Sequence, residues 1–315
     1  MPTPLSPAGA RLAGGFPLVV LAALLWGTAG FSGRVVADRT DLGPLDIAWH
    51  RMAIGAVVLL AAHLLTRRRA APAGGSGRGV PVRLVLVATG LAAYQLAYFA
   101  AVATAGVSVA TLVALGLAPL LIALGAALLG HGRPEPATLV ALAVALTGLV
   151  LLVGLTAGAS AGTAVLAGAL LAVGSALGYA VVTLASGGVP VGVPVTLIGF
   201  GGGALLLTPV ALAAGLRTTA DPVAVLTLVY LGAVPSALAY ALFFRGLRTV
   251  PGAVAAIVTL LEPVTATVLA TAFLGERLPL GALAGGALVL AAVAGLYLRR
   301  LAASAEPAVG APPGG

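Results

Sequence analysis

The stretch AVAAIVTLLEPVTATVLATAFL, residues 253–274, is predominantly apolar and has one acidic residue near its middle. A helix of about 20 apolar residues is long enough to cross a lipid bilayer. Glu262 is therefore expected at bilayer depth, where a charged side chain costs roughly 2.5 to 3.5 kcal/mol or more. Pro263 follows it and removes a backbone donor at the same level. An ionisable group beside a helix break is typical of a transport site, and a passive anchor has no need of one.

The composition indicates an integral membrane protein. Of the 315 residues, 61% are hydrophobic and only 8% are charged, and the mean hydropathy is +1.17. Soluble domains carry about 25% charged residues, so too few polar side chains are present to cover a soluble core. The net charge of +8 does not indicate nucleic-acid binding, because the arginines cluster at the ends of apolar segments. Cysteine is absent and the three histidines lack metal-ligand spacing, so we expect neither cofactor nor metal.

Ten membrane-spanning helices are predicted in an all-α fold. Each is a run of about 20 predominantly apolar residues, and the connections between the runs are short. The predicted spans are residues 16–36, 45–65, 82–103, 107–129, 136–155, 163–185, 192–214, 223–244, 252–274 and 280–298. The longest connection, residues 66–81, is polar and rich in Gly and Pro.

The chain repeats itself after five spans. Tyr98 in the third span matches Tyr240 in the eighth, and Pro119 in the fourth span matches Pro263 in the ninth. Because five is an odd number, the second half must enter the membrane in the opposite sense from the first. Two inverted five-helix repeats with a site between them are typical of many secondary transporters.

The repeat divides the chain into a first five-helix unit, residues 16–155, and a second one, residues 163–298. The flanking segments, 1–15 and 301–315, are rich in Pro, Gly and Ala and are predicted to be disordered. If the N-terminus is inside, eleven arginines fall in inside segments and four in outside segments. The positive-inside rule then favours cytoplasmic positions for both termini, in the inner (plasma) membrane of the cell.

The order and placement of five motifs resemble the drug/metabolite transporter superfamily and, within it, the EamA-type ten-helix transporters. The motifs are Trp26-Gly27, Arg51, Pro119, Glu262-Pro263 and Leu274-Gly275-Glu276-Arg277. The first half departs from the pattern, because Ala118 stands where Glu262 stands in the second half. The resemblance implies a secondary transporter of small metabolites that works by alternating access. It commonly implies an exporter of amino acids or related compounds.

Glu262 is the leading candidate for the site. An environment of low dielectric disfavours the charged form of a carboxyl group, so Glu262 can take up and release a proton during a cycle. The alternative is a structural carboxylate paired with a backbone donor or an arginine. Arg51 offers a planar set of hydrogen-bond donors that can bind a substrate carboxylate. The alternative is a structural arginine whose side chain snorkels to the membrane interface or forms an ion pair. A pairing of Arg51 with Glu262 is a further hypothesis.

Other polar and aromatic side chains within the spans are candidates for contact with a substrate, or they only pack against neighbouring helices. They are Trp26, Tyr94, Gln95, Tyr98, Ser236 and Tyr240. Pro119 and Pro263 are predicted to mark flexible points about which the two halves rock. The expected partners are a small-molecule substrate and the lipid bilayer. Small residues four apart are frequent enough to allow a homodimer, although no particular interface follows from them.

An enzyme within the membrane is disfavoured by the same residues. Intramembrane aspartyl chemistry needs paired aspartates, yet Asp38, Asp41, Asp46 and Asp221 fall at or beyond span ends. The chain also lacks the His-Glu-x-x-His run of zinc-dependent hydrolases. A flippase of lipid intermediates or an exporter of drugs and cations, built on a similar helical array, stays open as an alternative.

Overall fold

The computed structural model describes residues 7–66, 79–132, 134–153, 163–274 and 280–305. Within these ranges the chain forms ten helices joined by short connections. They are α1 (Pro7–Arg39), α2 (Pro44–Thr66), α3 (Val80–Gly106), α4 (Val109–Leu128), α5 (Pro136–Val153), α6 (Thr163–Gly187), α7 (Val195–Ala213), α8 (Pro222–Gly246), α9 (Gly252–Leu274) and α10 (Leu280–Ala305).

The predicted all-helical membrane fold is confirmed. In the described part of the chain, nine helices are long and apolar enough to cross a membrane, and α5 contributes a shorter apolar helix over Pro136–Leu152. The start of α1 and the end of α10 lie at the same face, because the Phe16 and Tyr297 rings are 5.2 Å apart.

The two repeats pack on each other in a reciprocal way. In one half of the fold α1 packs on α8 and α9, and in the other half α6 packs on α3 and α4. The pairs α2–α7 and α5–α10 join corresponding helices of the two repeats. This reciprocity is what a pseudo-two-fold relation between inverted repeats requires, and it places the interior surfaces of both halves around one central space.

Two irregular points shape the interior. Gly106 has φ of 82° and turns the chain from α3 into α4, a conformation that residues with a Cβ rarely adopt. In α8 the segment Gly232–Leu238 is a π-helix that contains Pro235. A π-turn widens the helix locally and changes the direction of the side chains that follow, and such turns are frequent at functional sites.

Ionic contacts tie the two repeats together at the face opposite the chain ends. The guanidinium of Arg39 donates two hydrogen bonds of 3.1 Å to the carboxylate of Asp221, the N-cap of α8. The carboxylate of Asp46 accepts from the backbone N–H of Arg217 at 3.1 Å. Hydrogen bonds from Arg39 and from the backbone of Ala224 hold the pKa of Asp221 below its ordinary value. The stabilisation is therefore present at neutral pH and is lost as the pH falls through that pKa.

The ends of the helical array extend further than the composition indicated. α1 begins at Pro7 and α10 continues to Ala305, so part of each predicted tail is helical. Proline is tolerated in the first helical turn, and alanine and leucine are strong helix formers. The motif residues 275–277, most of the predicted loop at 66–81 and the outer parts of both tails lie outside the described residues.

Close contact between α5 and α10 depends on the absence of two side chains. A Cβ added at Gly285 would lie 2.5 Å from the carbonyl oxygen of Gly148 and 2.5 Å from the backbone N of Leu152. Backbone atoms cannot rotate away, so the two helices would have to separate. A Cβ added at Gly295, also in α10, meets nothing within 4 Å.

We expect Gly285→Ala to lower the free energy of unfolding by about 1–3 kcal/mol, the usual cost of overpacking. Thermal unfolding of the detergent-solubilised protein measures this. Gly295→Ala is the control and should be neutral or stabilising by about 0.5–1 kcal/mol, since alanine is the better helix former. Equal effects of the two substitutions would contradict the close contact between α5 and α10.

Candidate functional site

Glu262 lies directly after a break in α9. The helix is regular over Gly252–Val258 and again over Leu261–Leu274, and residues 259 and 260 form a turn between the two parts. Pro263 has no N–H to donate to the carbonyl of Thr259, and that carbonyl accepts instead from the backbone N–H of Glu262 at 2.9 Å. The sequence of the break thus places an acidic side chain in the first turn of a half-helix, where the helix dipole favours negative charge.

A cavity of about 360 Å³ lies between the two repeats at this level. It is lined by seven of the side chains that the sequence singles out. They are Trp26, Arg51, Tyr94, Gln95, Tyr98, Tyr240 and Glu262. The structure therefore brings together residues from α1, α2, α3, α8 and α9 that are far apart in the sequence. The eighth candidate, Ser236, is fully buried and does not line the cavity.

The cavity is open towards one face of the membrane. Its wall continues from Glu262 to Arg34 and Ala37 at the end of α1 and to Pro44 at the start of α2, and these three are exposed. The opposite side is closed by tight packing, because a Cβ at Gly15 would lie 3.1 Å from the carbonyl oxygen of Gly246. In the part of the chain that the structure describes, the cavity thus opens at the face where α1 ends and α2 begins.

An aromatic cluster forms the inner end of the cavity. The ring centroid of Trp26 lies 4.7 Å from that of Tyr240, 5.1 Å from that of Phe243 and 6.5 Å from that of Tyr179. Sequence reasoning missed Tyr179, which also lines the cavity. It is in α6, whereas the residues that match between the two halves of the sequence lie in the third and eighth spans and in the fourth and ninth spans.

Arg51 is held in place by Ser236. The Nε of Arg51 donates a hydrogen bond of 3.1 Å to the Oγ of Ser236, and that hydroxyl in turn donates to the carbonyl of Leu231 at 2.7 Å. The second bond spans five residues, as a π-turn allows. Among the described residues the ion pairs are Arg34–Asp38 and Arg39–Asp221, so Arg51 and Glu262 share the cavity without pairing.

The two predicted hinge prolines lie in different surroundings. Pro263 follows the break in α9, whereas α4 is continuously helical through Pro119. Thr267 donates its hydroxyl hydrogen to the carbonyl of Pro263 at 2.7 Å, which is one further local contact around the break. The hinge role of both prolines stays a prediction, and the structure gives the stronger geometric basis to the one in α9.

Ten helices in two repeats around a one-sided cavity define the architecture of a multi-pass membrane transporter. Residues 13–154 and 163–298 both match the EamA-like transporter family, and the chain belongs to that family. The resemblance to EamA-type transporters of the drug/metabolite superfamily is confirmed by this match. Family membership points to transport rather than to enzymatic catalysis.

Two known proteins are similar over nearly the whole chain. One is the Uncharacterized transporter YwfM of Bacillus subtilis (strain 168), which is 30% identical over 275 residues, covering 86% of this chain and 90% of the relative. The other is a protein of known crystal structure that aligns with a TM-score of 0.77 and 25% sequence identity. That alignment covers 91% of this chain and 97% of the other.

We expect Ser236→Ala to release the guanidinium of Arg51. A net hydrogen bond contributes about 0.5–1.5 kcal/mol, so modification of Arg51 by phenylglyoxal should become roughly twofold to tenfold faster. Peptide mass spectrometry of the modified, purified protein measures the rate at this one arginine. Ser186→Ala is the matched control, since that buried hydroxyl donates to the carbonyl of Thr183 and has no contact with Arg51. An unchanged rate in Ser236→Ala would show that the serine does not hold Arg51.

Proposed function

We propose that this protein is a secondary active transporter of small metabolites in which Glu262 couples substrate movement to a proton gradient. The observation that carries the proposal is the position of Glu262, half-buried beside a helix break and facing a cavity between two repeats. A carboxyl group at that depth is costly. A cavity of about 360 Å³ is large enough for a small metabolite. The match of both repeats to a transporter family supports the same function.

The reciprocal packing of the repeats supports a mechanism of alternating access. The conformation described here is open at the face where α1 ends and α2 begins, and it is sealed near Gly15 and Gly246. The opposite conformation would exchange the roles of the two repeats by rocking around the cavity. If both termini lie on the cytoplasmic side of the inner membrane, the open face is the outer one, and export would release substrate there.

The chemistry of the cavity supports amino acids or related compounds as substrates. Arg51 and Glu262 present opposite charges to the same space without pairing with each other. A zwitterion can satisfy both, because the guanidinium fork fits a carboxylate and the carboxylate of Glu262 fits an ammonium group. Tyr94, Tyr98 and Trp26 then offer apolar surface to the remainder of the molecule.

An exporter of organic cations is the second candidate. Trp26, Tyr94 and Tyr240 surround the same cavity as Glu262, and aromatic faces attract cations by about 0.5–2 kcal/mol each. A cation with an extended apolar body would use this wall and Glu262 and would not need Arg51. The two candidates therefore differ in whether transport depends on Arg51.

A counterflow screen with purified protein in liposomes tests the function. The panel contains amino acids, nucleosides and cationic drugs. Accelerated uptake of labelled amino acid into vesicles preloaded with the same compound supports the first candidate, and a response confined to cationic drugs supports the second. Flux of none of the three groups would contradict the proposal as stated.

We expect Glu262→Gln to reduce coupled transport about tenfold or more and to remove its dependence on the pH gradient, while the protein stays folded. The reason is that interactions with an ionised group are worth roughly 1.5–3 kcal/mol, and the amide cannot exchange a proton. Flux into proteoliposomes with and without a pH gradient measures both effects. Glu135→Gln, a change of an exposed glutamate before α5, is the matched control. Wild-type flux and pH dependence in Glu262→Gln would remove the coupling role of the carboxylate.

A further inference from the structure

We infer that Trp26 and Tyr179 together form a subsite that binds an oxygen acceptor, a carboxylate or carbonyl oxygen, of the transported molecule. The inference rests on the proposed function, since it assigns contacts in the same cavity. It adds a residue, Tyr179 of α6, and it gives Trp26 of α1 a specific chemical role.

Two buried polar atoms at the inner end of the cavity make no hydrogen bond of 3.5 Å or less within the described chain. They are the indole Nε1 of Trp26 and the hydroxyl oxygen of Tyr179, whose residues are 5% and 6% exposed. Both residues line the cavity, and their rings meet edge to face with centroids 6.5 Å apart. The two atoms therefore belong to neighbouring side chains on helices of different repeats.

Comparable side chains of the protein, one of them in the same cavity, are satisfied. The indole N–H of Trp49 donates to the hydroxyl of Thr208 at 3.0 Å. The hydroxyl of Tyr98 is 2.8 Å from that of Thr111, and the hydroxyl of Tyr230 is 2.9 Å from that of Thr28. These three half-buried indole and phenol groups thus find partners among their neighbours. The unsatisfied pair is confined to the cavity.

The chemistry of the two groups selects the ligand atom. An indole N–H can only donate, so its partner must be an acceptor. An oxygen with two lone pairs accepts from the indole and from the phenol at the same time, whereas an ammonium group can do neither. Glu262 lines the same cavity, so a carboxylate is accepted there most easily when Glu262 carries a proton or when Arg51 balances the charge. A carbonyl oxygen has no such condition.

Removing either unpaired group should have opposite effects on two quantities, the stability of the ligand-free protein and its affinity for the ligand. A buried polar group without a partner destabilises the ligand-free protein. Removing the group should therefore leave the free energy of unfolding unchanged or raise it. The same group strengthens binding when the ligand supplies the hydrogen-bond partner. A site that is built to form this hydrogen bond rejects ligands that lack the partner atom. A side chain with only a packing role would not separate the two quantities in this way.

The first measurement is thermal unfolding of the ligand-free protein in detergent. We expect Tyr179→Phe to leave Tm unchanged or to raise it by about 1–3 °C. Tyr230→Phe is the matched control and should lower Tm, because it breaks the contact with Thr28. If Tyr179→Phe lowers Tm as much as the control does, the hydroxyl has a partner in the protein and the subsite is refuted.

The second measurement compares two probes that differ only in a carboxylate group. L-leucine and isoamylamine share the amine and the branched chain, but isoamylamine lacks the carboxylate. Trp26 is the sole tryptophan in a Trp49→Phe background, and its fluorescence reports binding. We expect Tyr179→Phe to weaken leucine binding about threefold to tenfold and to leave isoamylamine binding unchanged. Replacing Trp26 by benzothienylalanine removes only the N–H and should have the same selective effect on leucine, read by competition in counterflow.

The outcomes separate the subsite from the proposed function. Equal weakening of both probes, or of neither, would overturn the subsite and would indicate packing or an ordered water alone. If leucine fails to bind the unaltered protein, the amino-acid class of the proposed function is wrong. The change in Tm of Tyr179→Phe then decides the subsite by itself, because a fall in Tm as large as that of the control refutes it.

Discussion

The structure depends on one constraint: polar groups within the bilayer must be satisfied by the protein, because lipid offers no hydrogen bonds. At the break in α9, Pro263 withdraws a donor, and the backbone of Glu262 supplies the carbonyl of Thr259 in its place. The broken helix is tolerated because it borders a cavity and does not face lipid. The same position is where an acidic side chain is least costly, since a half-helix begins there. The helix break, the carboxylate and the cavity therefore depend on one another.

The two repeats share a fold but divide its tasks. In the first repeat α4 continues through Pro119 without a break, and Ala118 is a small, buried side chain. In the second repeat α9 is interrupted beside Glu262, and α8 contains a π-turn that presents Ser236 to Arg51. The first repeat therefore provides a regular wall with the arginine, and the second provides the irregular backbone and the acidic group. Near-symmetry in packing, which allows rocking, is combined with asymmetry in chemistry.

Most of the fold could be predicted from the sequence, because span length and hydropathy are fixed by the bilayer and are visible residue by residue. The clustering of Trp26, Tyr240 and Glu262 followed from the repeat and the family motifs. Other features could not be predicted. Tyr179 carries no local signal, and the unpaired state of its hydroxyl depends on neighbours from other helices. The separation of Arg51 from Glu262 depends on the π-turn, whose register no periodicity reveals.

The most direct test of a wet cavity at Glu262 uses the absence of cysteine from the chain. Glu262→Cys introduces the sole thiol, and a water-soluble, membrane-impermeant methanethiosulfonate reagent is added to vesicles of known orientation. Val268→Cys, on an exposed position of the same helix, is the lipid-facing control. We expect the thiol at position 262 to react from the face that carries Arg39 and Asp221, and the thiol at 268 to stay unmodified. A thiol at 262 that reacts from neither face, or only as slowly as the control, would contradict a water-filled site between the repeats.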